Sequence, residues 1–558
     1  MKSLITRFLI LLSFIFLFPS CRNRKPETIK PETVHINNYS GFPQGSILSG
    51  ETKEGKTLYL IREDETKMAG VCFIDNDFAI VERITFCADS TGNTTFEDIY
   101  SGTMLTDPLF EGIKLSLPKM LSFEIDSQTI HINYVGTIPE KVHCPEHFKE
   151  IISETIRPKK NVKYGTASGY YTSKPVNQTA SYEDLLQEAI KIKREVIKNG
   201  ESEKQLYLDM YYPDTENMSK FPLLLFIHGG AFFYGDKEDP LQQAITEYLV
   251  KRGYVVVSIN YRMGSILTEL PERTYYHNVQ DTRAALRFLL CHKDTYQIDD
   301  EQIYLAGSSA GGFIALKTAF MDHSERPWQT YGTIFVRDLG GLDDLEKDYK
   351  ADFKIAGVIS MWGAVSDLTI LNDTIPTLLF HGTNDKLVPM GTGAPFESFF
   401  GAFSKAISLL YKVHGSESIR DYLKSKNIPV TFVEFPGCKH EVHIDPSDGS
   451  LHAGNVNKIC NEMGRFLFEN VSKHYFDYHL SGDTLIEKYD LAPIYYLHGN
   501  VEDVSVQWHV EGGFITKCNK KAIRVVWYNS FDRGTVTACI TNENGASCKK
   551  ELKVKITF

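Results

Sequence analysis

Ser309 lies at the centre of the segment Gly307–Gly311, whose sequence is Gly-Ser-Ser-Ala-Gly. The apolar run Ile303–Ala306 precedes this segment, and the apolar stretch Phe313–Leu316 follows it. This order predicts a strand, a sharp turn and a helix, with the serine at the tip of the turn. The two glycines fit such a turn because side chains at their positions would clash with neighbouring backbone. A serine placed in this way can attack an acyl carbon, although the five-residue pattern alone often occurs by chance.

Attack by a serine creates an oxyanion, which needs hydrogen-bond donors. The continuous apolar run Pro222–Ile227 predicts a buried parallel strand, and the segment His228–Phe232, which contains two adjacent glycines, follows it directly. We interpret the backbone N–H groups of Gly230, Ala231 and Ala310 as the oxyanion donors. The alternative interpretation is an ordinary turn that ends a strand.

A third predicted strand leads to a candidate catalytic acid. The apolar residues Pro376–Phe380 run into the loop His381–Pro389, which contains Asp385. We predict that Asp385 orients the catalytic histidine and stabilises its protonated form. Asp385 could instead be a solvated loop residue or a helix cap. Asp373 and Glu434 are weaker candidates for the same role.

The candidate general base follows a fourth predicted strand. Val430–Phe435 alternates weakly, and His440 lies in the loop after it. We predict that His440 takes the proton of the nucleophile, because the chain then carries serine, aspartate and histidine in that order. His443 is the competing candidate, only three residues further on. His381 is more readily explained as a structural residue at the end of its strand.

The elements that carry these residues alternate between strand and helix. Predicted elements include the strand Tyr254–Ile259, the helix His277–His292 and a closing amphipathic helix near residues 455–473. Such alternation predicts an α/β core with a mostly parallel, buried sheet. The loops at the carboxyl ends of its strands meet at one edge, which would bring the serine, the aspartate and the histidine together.

These motifs resemble the α/β-hydrolase superfamily, from about Leu206 to Tyr475, or about half of the chain. Within that superfamily they resemble the carboxylesterases of the hormone-sensitive-lipase and acetyl-esterase type. The segments that carry the resemblance are Leu206–Pro213, His228–Phe232, Asn260–Arg262, Gly307–Gly312, His381–Asp385 and Gly437–His440. The resemblance implies a Ser309, Asp385 and His440 triad and no cofactor. Ala231 departs from it, because many relatives have a third glycine there.

Another segment, Pro395–Phe403, is rich in aromatic residues and follows the loop of the candidate acid. It could cover an acyl pocket, or it could belong to the core of a helix.

The composition and length limit the remaining possibilities. The 558 residues carry a net charge of −11, which argues against nonspecific nucleic-acid binding.

We predict a signal peptide at 1–20, a tether at 21–31, a β-rich domain of unknown role at 32–160, the α/β-hydrolase domain at 161–476 and a small β-sandwich at 477–558. The sandwich resembles immunoglobulin-like domains of the PKD kind, with Trp508 and Trp527 as core residues.

The first residues resemble a bacterial lipoprotein signal. Lys2 and Arg7 precede the short apolar run Phe8–Phe18, and Cys21 follows a small residue. The resemblance implies that Cys21 is lipidated and anchors the protein to a membrane; simple cleavage and secretion is the alternative. Basic residues after Cys21 favour the periplasmic face of an outer membrane over the cell surface.

Nine further cysteines remain after Cys21, and an exported chain can form disulfides. Cys72 and Cys87 belong to one predicted hairpin, and Cys539 and Cys548 flank another. Pairing across each hairpin is a hypothesis, because sequence does not fix connectivity. The Cys and His residues show no metal-ligand spacing, so we expect no structural zinc.

The predicted activity is hydrolysis of short-chain acyl esters, with carbohydrate acetyl or feruloyl esters as candidate substrates because β-rich domains flank the hydrolase. Two alternatives remain open. One is a serine peptidase of the prolyl oligopeptidase type, although about 130 preceding residues are too few for a seven-bladed propeller. The other is a catalytically weak glycan-binding lipoprotein.

Overall fold

The computed structural model describes the strands between residues 34 and 137 and most of residues 144–557. Within the second range, the main stretches outside the description are 170–201 apart from three positions, 264–269, 396–410, 488–492 and 528–530. The predicted signal peptide with Cys21, the tether and most of the aromatic segment Pro395–Phe403 therefore lie outside the described residues. No helix among the described residues is long and apolar enough to cross a membrane.

The chain forms two compact units. One comprises 1–144, 478–540 and 549–558, and the other comprises 145–477 and 541–548. The second unit contains every candidate catalytic residue named above. Its central sheet has eight strands: β9 (Ile156–Gly169), β10 (Ser202–Pro213), β11 (Phe221–Ile227), β12 (Val255–Ile259), β13 (Ile298–Ser308), β14 (Ile355–Met361), β16 (Thr377–Gly382) and β19 (Val430–Phe435).

These strands lie in the order β9-β10-β12-β11-β13-β14-β16-β19. Strand β10 is antiparallel to both of its neighbours, and the pairs from β12 to β19 are all parallel. Every residue of β11 and β12 is buried, as expected for parallel strands covered on both faces. The mostly parallel sheet and its flanking helices confirm the predicted α/β-hydrolase core.

Five described helices belong to this unit: α1 (Pro240–Val250), α2 (Pro271–Cys291), α3 (Ala310–Phe320), α4 (Ser416–Ser425) and α5 (Ala453–Tyr475). The predicted closing helix is confirmed as α5, which buries Val456, Ile459, Met463, Phe466 and Leu467. Helix α2 begins six residues before the predicted start. Pro271 explains that start, because proline is favoured in the first turn of a helix.

A small second sheet contains β15 (Ala364–Val365), β17 (Thr392–Gly393) and β18 (Val413–Gly415).

The amino-terminal part of the first unit is an antiparallel sheet in the order β1-β7-β8-β2-β3-β4-β5-β6. Its strands are β1 (Val34–His35), β2 (Ser46–Glu51), β3 (Thr57–Arg62), β4 (Met68–Ile74), β5 (Ile80–Ala88), β6 (Thr94–Thr103), β7 (Met120–Ile125) and β8 (Gln128–Thr137). The β-rich prediction for this region is confirmed.

The carboxyl-terminal strands form two four-stranded sheets, β20-β22-β25-β24 and β21-β27-β26-β23. The strands are β20 (His479–Ser481), β21 (Leu485–Glu487), β22 (Ile494–His498), β23 (Ser505–Glu511), β24 (Gly513–Cys518), β25 (Ala522–Trp527), β26 (Arg533–Thr541) and β27 (Ser547–Thr557). Both sheets contribute to one apolar core, in which Trp527 is fully buried and Trp508 is partly buried. The predicted β-sandwich is confirmed, and its PKD kinship stays a prediction.

Both predicted disulfide pairings are wrong. Cys539 bonds to Cys144, and Cys548 is buried and belongs to no disulfide among the described residues. The hydroxyls of Thr541 and Ser547 lie 2.8 Å apart across the turn, so these residues face each other. Because side chains alternate along a strand, Cys539 and Cys548 then point to opposite faces of the hairpin.

The strand register excludes the other predicted disulfide, between Cys72 and Cys87. Cys72 lies opposite Arg83, and Cys87 lies opposite Met68. The two cysteines are therefore separated by four residues along the strands, about 13 Å, which is beyond the reach of a disulfide.

Candidate active site

Ser309 occupies a strained turn between β13 and α3. Its backbone has φ 52° and ψ −118°, and its N–H donates to the carbonyl oxygen of Met361 at 2.8 Å. A Cβ on Gly311 would lie 2.0 Å from the carbonyl oxygen of Ile227, and one on Gly307 would lie 2.2 Å from the backbone of Gly311. Only glycine fits at both positions, and the tight turn that results holds the serine side chain at the strand edge.

The three candidate side chains form one hydrogen-bonded chain. Ser309 Oγ lies 2.7 Å from His440 Nε2, and His440 Nδ1 lies 2.7 Å from Asp385 Oδ2. The Asp385 side chain is fully buried, and His440 is 8% exposed, so water has little access to the pair. In this arrangement His440 donates through Nδ1 and can accept the proton of the serine at Nε2.

The carboxylate of Asp385 has several partners that favour its charged form. Oδ1 accepts from the backbone N–H groups of Leu387 at 2.8 Å and Val388 at 3.0 Å. Burial alone would raise the pKa of Asp385, but the interactions with His440 and His381 outweigh burial and hold that pKa well below its usual value. The acid is therefore ionised at neutral pH and can stabilise a protonated imidazole.

His381 has a structural position, as predicted from its place at a strand end, and it also touches the acid. Its Nδ1 lies 2.8 Å from the hydroxyl of Ser416, and its Nε2 lies 3.0 Å from the carbonyl oxygen of Val388. The same Nε2 is 3.2 Å from Asp385 Oδ2. The sequence signal for this contact is the four-residue spacing between His381 and Asp385.

The competing residues lie elsewhere. His443 is stacked on Trp362, with ring centroids 5.2 Å apart and planes at 5°. Burial, and then the nearby His440, lower the pKa of His443 to about 3, so its ring is neutral. Asp373 is exposed, and Glu434 is half exposed and 3.8 Å from Arg420. None of these residues has a described hydrogen bond to the serine or to His440.

The segment His228–Phe232 passes directly beside the serine. A Cβ on Gly229 would lie 3.4 Å from the Cβ of Ser309. Among the described residues, none accepts a hydrogen bond from the backbone N–H groups of Gly230, Ala231 or Ala310. These three groups are thus available to an oxygen atom bound next to the serine, which is the property that an oxyanion hole requires.

His228 holds the first peptide of this segment. Burial lowers the pKa of His228 to about 4, so the neutral ring donates from Nδ1 to the carbonyl oxygen of Gly229 at 2.7 Å. The ring also stacks on Tyr261, with centroids 4.5 Å apart, and the Tyr261 hydroxyl donates to the carbonyl oxygen of His228 at 3.0 Å. Because a peptide is planar, fixing the Gly229 carbonyl also fixes the direction of the next N–H.

Part of the chain matches known families. Residues 208–374 match the family model BD-FAE. A curated protein named "Probable carboxylic ester hydrolase LipM", from Mycobacterium tuberculosis, is 25% identical over 275 residues, covering 46% of this chain and 62% of LipM. A "Probable isoprenylcysteine alpha-carbonyl methylesterase" from Oryza sativa subsp. japonica is 27% identical over 257 residues, covering 39% of this chain and 56% of that protein. The chain thus spans less than two thirds of either relative.

A solved structure described as a truncated form of carbohydrate esterase from gut microbiota aligns with 57% of this chain and 96% of its own. Its sequence identity is 18% and its TM-score is 0.36. Among the described residues, no group of three His, Cys, Asp or Glu side chains could hold a metal ion.

Proposed function

We propose that this protein is a serine carboxylesterase that hydrolyses short-chain acyl esters. The observation that carries the proposal is the hydrogen-bonded chain from Ser309 through His440 to Asp385, next to three backbone N–H groups that donate to none of the described residues. This combination supplies a nucleophile, a base and an oxyanion hole at one point. The ester-hydrolase names of the partial relatives support the same reaction class.

In the first half of the reaction, Ser309 Oγ attacks the ester carbonyl carbon while its proton passes to His440 Nε2. The charge that develops on the carbonyl oxygen is stabilised by the N–H groups of Gly230, Ala231 and Ala310. Asp385 stabilises the imidazolium through Nδ1. The protonated Nε2 then gives its proton to the departing alcohol, which leaves an acyl group on the serine.

In the second half, water enters the position that the alcohol has left. His440 Nε2 takes a proton from this water, and the resulting hydroxide attacks the acyl carbon. The same N–H groups bind the second tetrahedral intermediate, and its collapse returns the proton to Ser309 Oγ and releases the carboxylic acid.

The test compares wild type with Ser309→Ala on p-nitrophenyl acetate and p-nitrophenyl butyrate. We expect kcat to fall by at least about 10³-fold in the variant while its circular dichroism spectrum is unchanged. Ser308→Ala, the same change one residue earlier, is the matched control and should keep kcat within a few fold of wild type. Near-full activity of Ser309→Ala would contradict the proposal.

A proline p-nitroanilide distinguishes esterase from peptidase. Cleavage of the anilide without cleavage of the esters would favour a peptidase of the prolyl oligopeptidase type. Binding to glycans without cleavage of any of these substrates would favour the glycan-binding alternative.

For the natural substrate, we propose acetyl or feruloyl esters of carbohydrates. The support is the presence of β-rich regions on both sides of the hydrolase core in the sequence, where a polymer could bind. Release of acetate or ferulate from an esterified polysaccharide would agree with this. Hydrolysis of p-nitrophenyl acetate without any release from polymers would limit the enzyme to small esters.

We also propose that Cys21 carries a lipid that anchors the protein in the cell envelope, with the periplasmic face of the outer membrane as the favoured location. The test is metabolic labelling with a fatty acid in a bacterial host. Labelling of wild type but not of Cys21→Ala is expected, and equal labelling of both would contradict the proposal.

A further inference from the structure

The segment beside the serine contains two consecutive residues with left-handed backbone and full side chains. Ala231 has φ 49° and Phe232 has φ 65°, directly after Gly230 with φ 110°. Residues other than glycine adopt positive φ at a cost, because Cβ approaches the carbonyl oxygen. Such a conformation persists only where the surrounding structure enforces it. Some contact must therefore hold these two residues in place.

The side chain of Phe232 supplies such a contact. It is 2% exposed and lies in a cage formed by Tyr275 and Phe313. Its ring centroid is 4.6 Å from that of Tyr275 and 5.9 Å from that of Phe313, and the second pair is nearly perpendicular. Tyr275 and Phe313 also contact each other at 5.7 Å. Edge-to-face and tilted contacts at these distances are favourable and specific in geometry.

The cage connects the loop to the helix that carries the nucleophile. Phe313 is one turn after Ser309 in α3, and its N–H donates to the carbonyl oxygen of Ser309 at 3.2 Å. Phe232 therefore packs against the helix that begins directly after the serine.

The other wall of the cage is also fixed. Glu272 and Lys317 form a buried ion pair at 2.5 Å, and Lys317 Nζ lies 5.2 Å from the centre of the Tyr275 ring. Tyr411 donates to Glu272 at 3.1 Å and packs against Tyr275 at 6.4 Å. These contacts hold the Tyr275 ring in place, so the ring stays fixed when Phe232 packs against it.

We propose that Phe232 is a positioning residue for the oxyanion hole: its ring, held in the cage of Tyr275 and Phe313, keeps Ala231 left-handed so that the Ala231 N–H points to the oxyanion. The inference rests on the proposed function and goes beyond it, because the proposed mechanism assigns no role to Phe232. The Gly229 end of the loop is held separately by His228. Loss of the Phe232 ring should therefore release the Ala231 N–H and leave the Gly230 N–H in place.

The experiment measures kcat, KM and the inhibition constant of a trifluoromethyl ketone, which forms an oxyanion on the serine. In Phe232→Ala, kcat on p-nitrophenyl acetate should fall by about 10²-fold, the loss expected when one oxyanion donor is misplaced. KM should change less than about threefold, since the ground-state ester depends little on the donor. The inhibition constant should rise in proportion to the loss of kcat.

Two further variants separate positioning from general destabilisation. Phe232→Leu keeps an apolar anchor and should lose less kcat than Phe232→Ala. The double variant Ala231→Gly with Phe232→Ala should recover part of the lost kcat, because glycine takes positive φ without strain. Phe320→Ala is the control: it removes a buried ring at the far end of α3 and should lower thermal stability with kcat within about twofold of wild type.

If wild type is active and Phe232→Ala keeps kcat within threefold of wild type, the inference is overturned and the proposed function remains. A fall in kcat without a matching rise in the inhibition constant, or without any recovery in the double variant, would also overturn it. A wild type with no esterase activity would overturn the proposed function, and this inference with it.

Discussion

Replacement of Asp385 by asparagine tests the proposed roles of the acid and the base. The asparagine side-chain oxygen can still accept from the N–H groups of Leu387 and Val388, which contact Oδ1 of the aspartate at 2.8 and 3.0 Å. Those two donors fix the orientation of the amide, so its NH₂ group faces His440 Nδ1. His440 must then accept at Nδ1 and carry its proton on Nε2, where it can no longer take the proton of Ser309.

The expected loss of kcat in Asp385→Asn is about 10⁴-fold, which corresponds to about 5.4 kcal/mol of transition-state stabilisation. The geometry supports a loss of this size because the Asp385 side chain is fully buried and 2.7 Å from His440. Water cannot easily replace the missing acceptor there. KM should change little, since the Asp385 side chain is fully buried and acts on the reaction through His440.

Initial rates on p-nitrophenyl acetate measure this effect, with Asp373→Asn and Glu434→Gln as controls. Both control residues are acids on the same part of the chain, but one is exposed and the other is half exposed. Their variants should keep kcat within about twofold of wild type. A kcat for Asp385→Asn within tenfold of wild type, or an equal loss in either control, would refute the reasoning.

The same variant has a pH signature in stability. The pKa of Asp385 is depressed in the folded protein, so its ionised form adds stability that is fully present above the unfolded pKa of about 3.9. This stability is lost as pH falls toward the folded pKa. The difference in urea midpoint between wild type and Asp385→Asn should therefore be smaller at pH 3 than at pH 7. A constant difference would contradict the depressed pKa.

Three further predictions concern the framework. Gly311→Ala should lower kcat by at least about 10²-fold with the secondary structure retained, because its Cβ would lie 2.0 Å from a carbonyl oxygen; unchanged kcat would refute this. Asp281→Asn should lower the free energy of unfolding by about 3–5 kcal/mol in urea titrations, since Arg262 pairs with Asp281 at 2.7 Å and would remain charged and buried. Loss of the Cys144–Cys539 disulfide in a double serine variant should cost about 2–5 kcal/mol, and equal melting temperatures would argue against it.

Much of the site was predictable because its parts obey local rules. Ser309 and Asp385 each follow a buried strand, and His440 follows the edge strand β19, most of whose residues are only partly buried. Parallel strands bring such positions to one edge of the sheet. The glycines around the serine were predictable for a similar reason, since the close approaches of Gly307 and Gly311 follow from the turn itself. Rules of this kind use only a few consecutive residues, so one sequence is sufficient.

The disulfide was not predictable by the same means. Hairpin neighbours are the simplest partners for cysteines, but a disulfide depends on side-chain direction and on register. Cys539 instead bonds to Cys144, at a separation of 395 residues along the chain. No local pattern carries information about that pairing. The same holds for His443, whose stacking on Trp362 joins residues from two different loops.

Ala231 shows how a local departure can depend on distant residues. The sequence marks it only as an alanine where many relatives of the resembled family have a glycine. In the structure its φ is 49°, and the residue beside it, Phe232, is buried against Tyr275 and Phe313. An alanine can occupy a position suited to glycine when a neighbouring ring enforces the backbone. The effect of a change at Ala231 therefore depends on whether Phe232 is present, and single substitutions cannot separate the two.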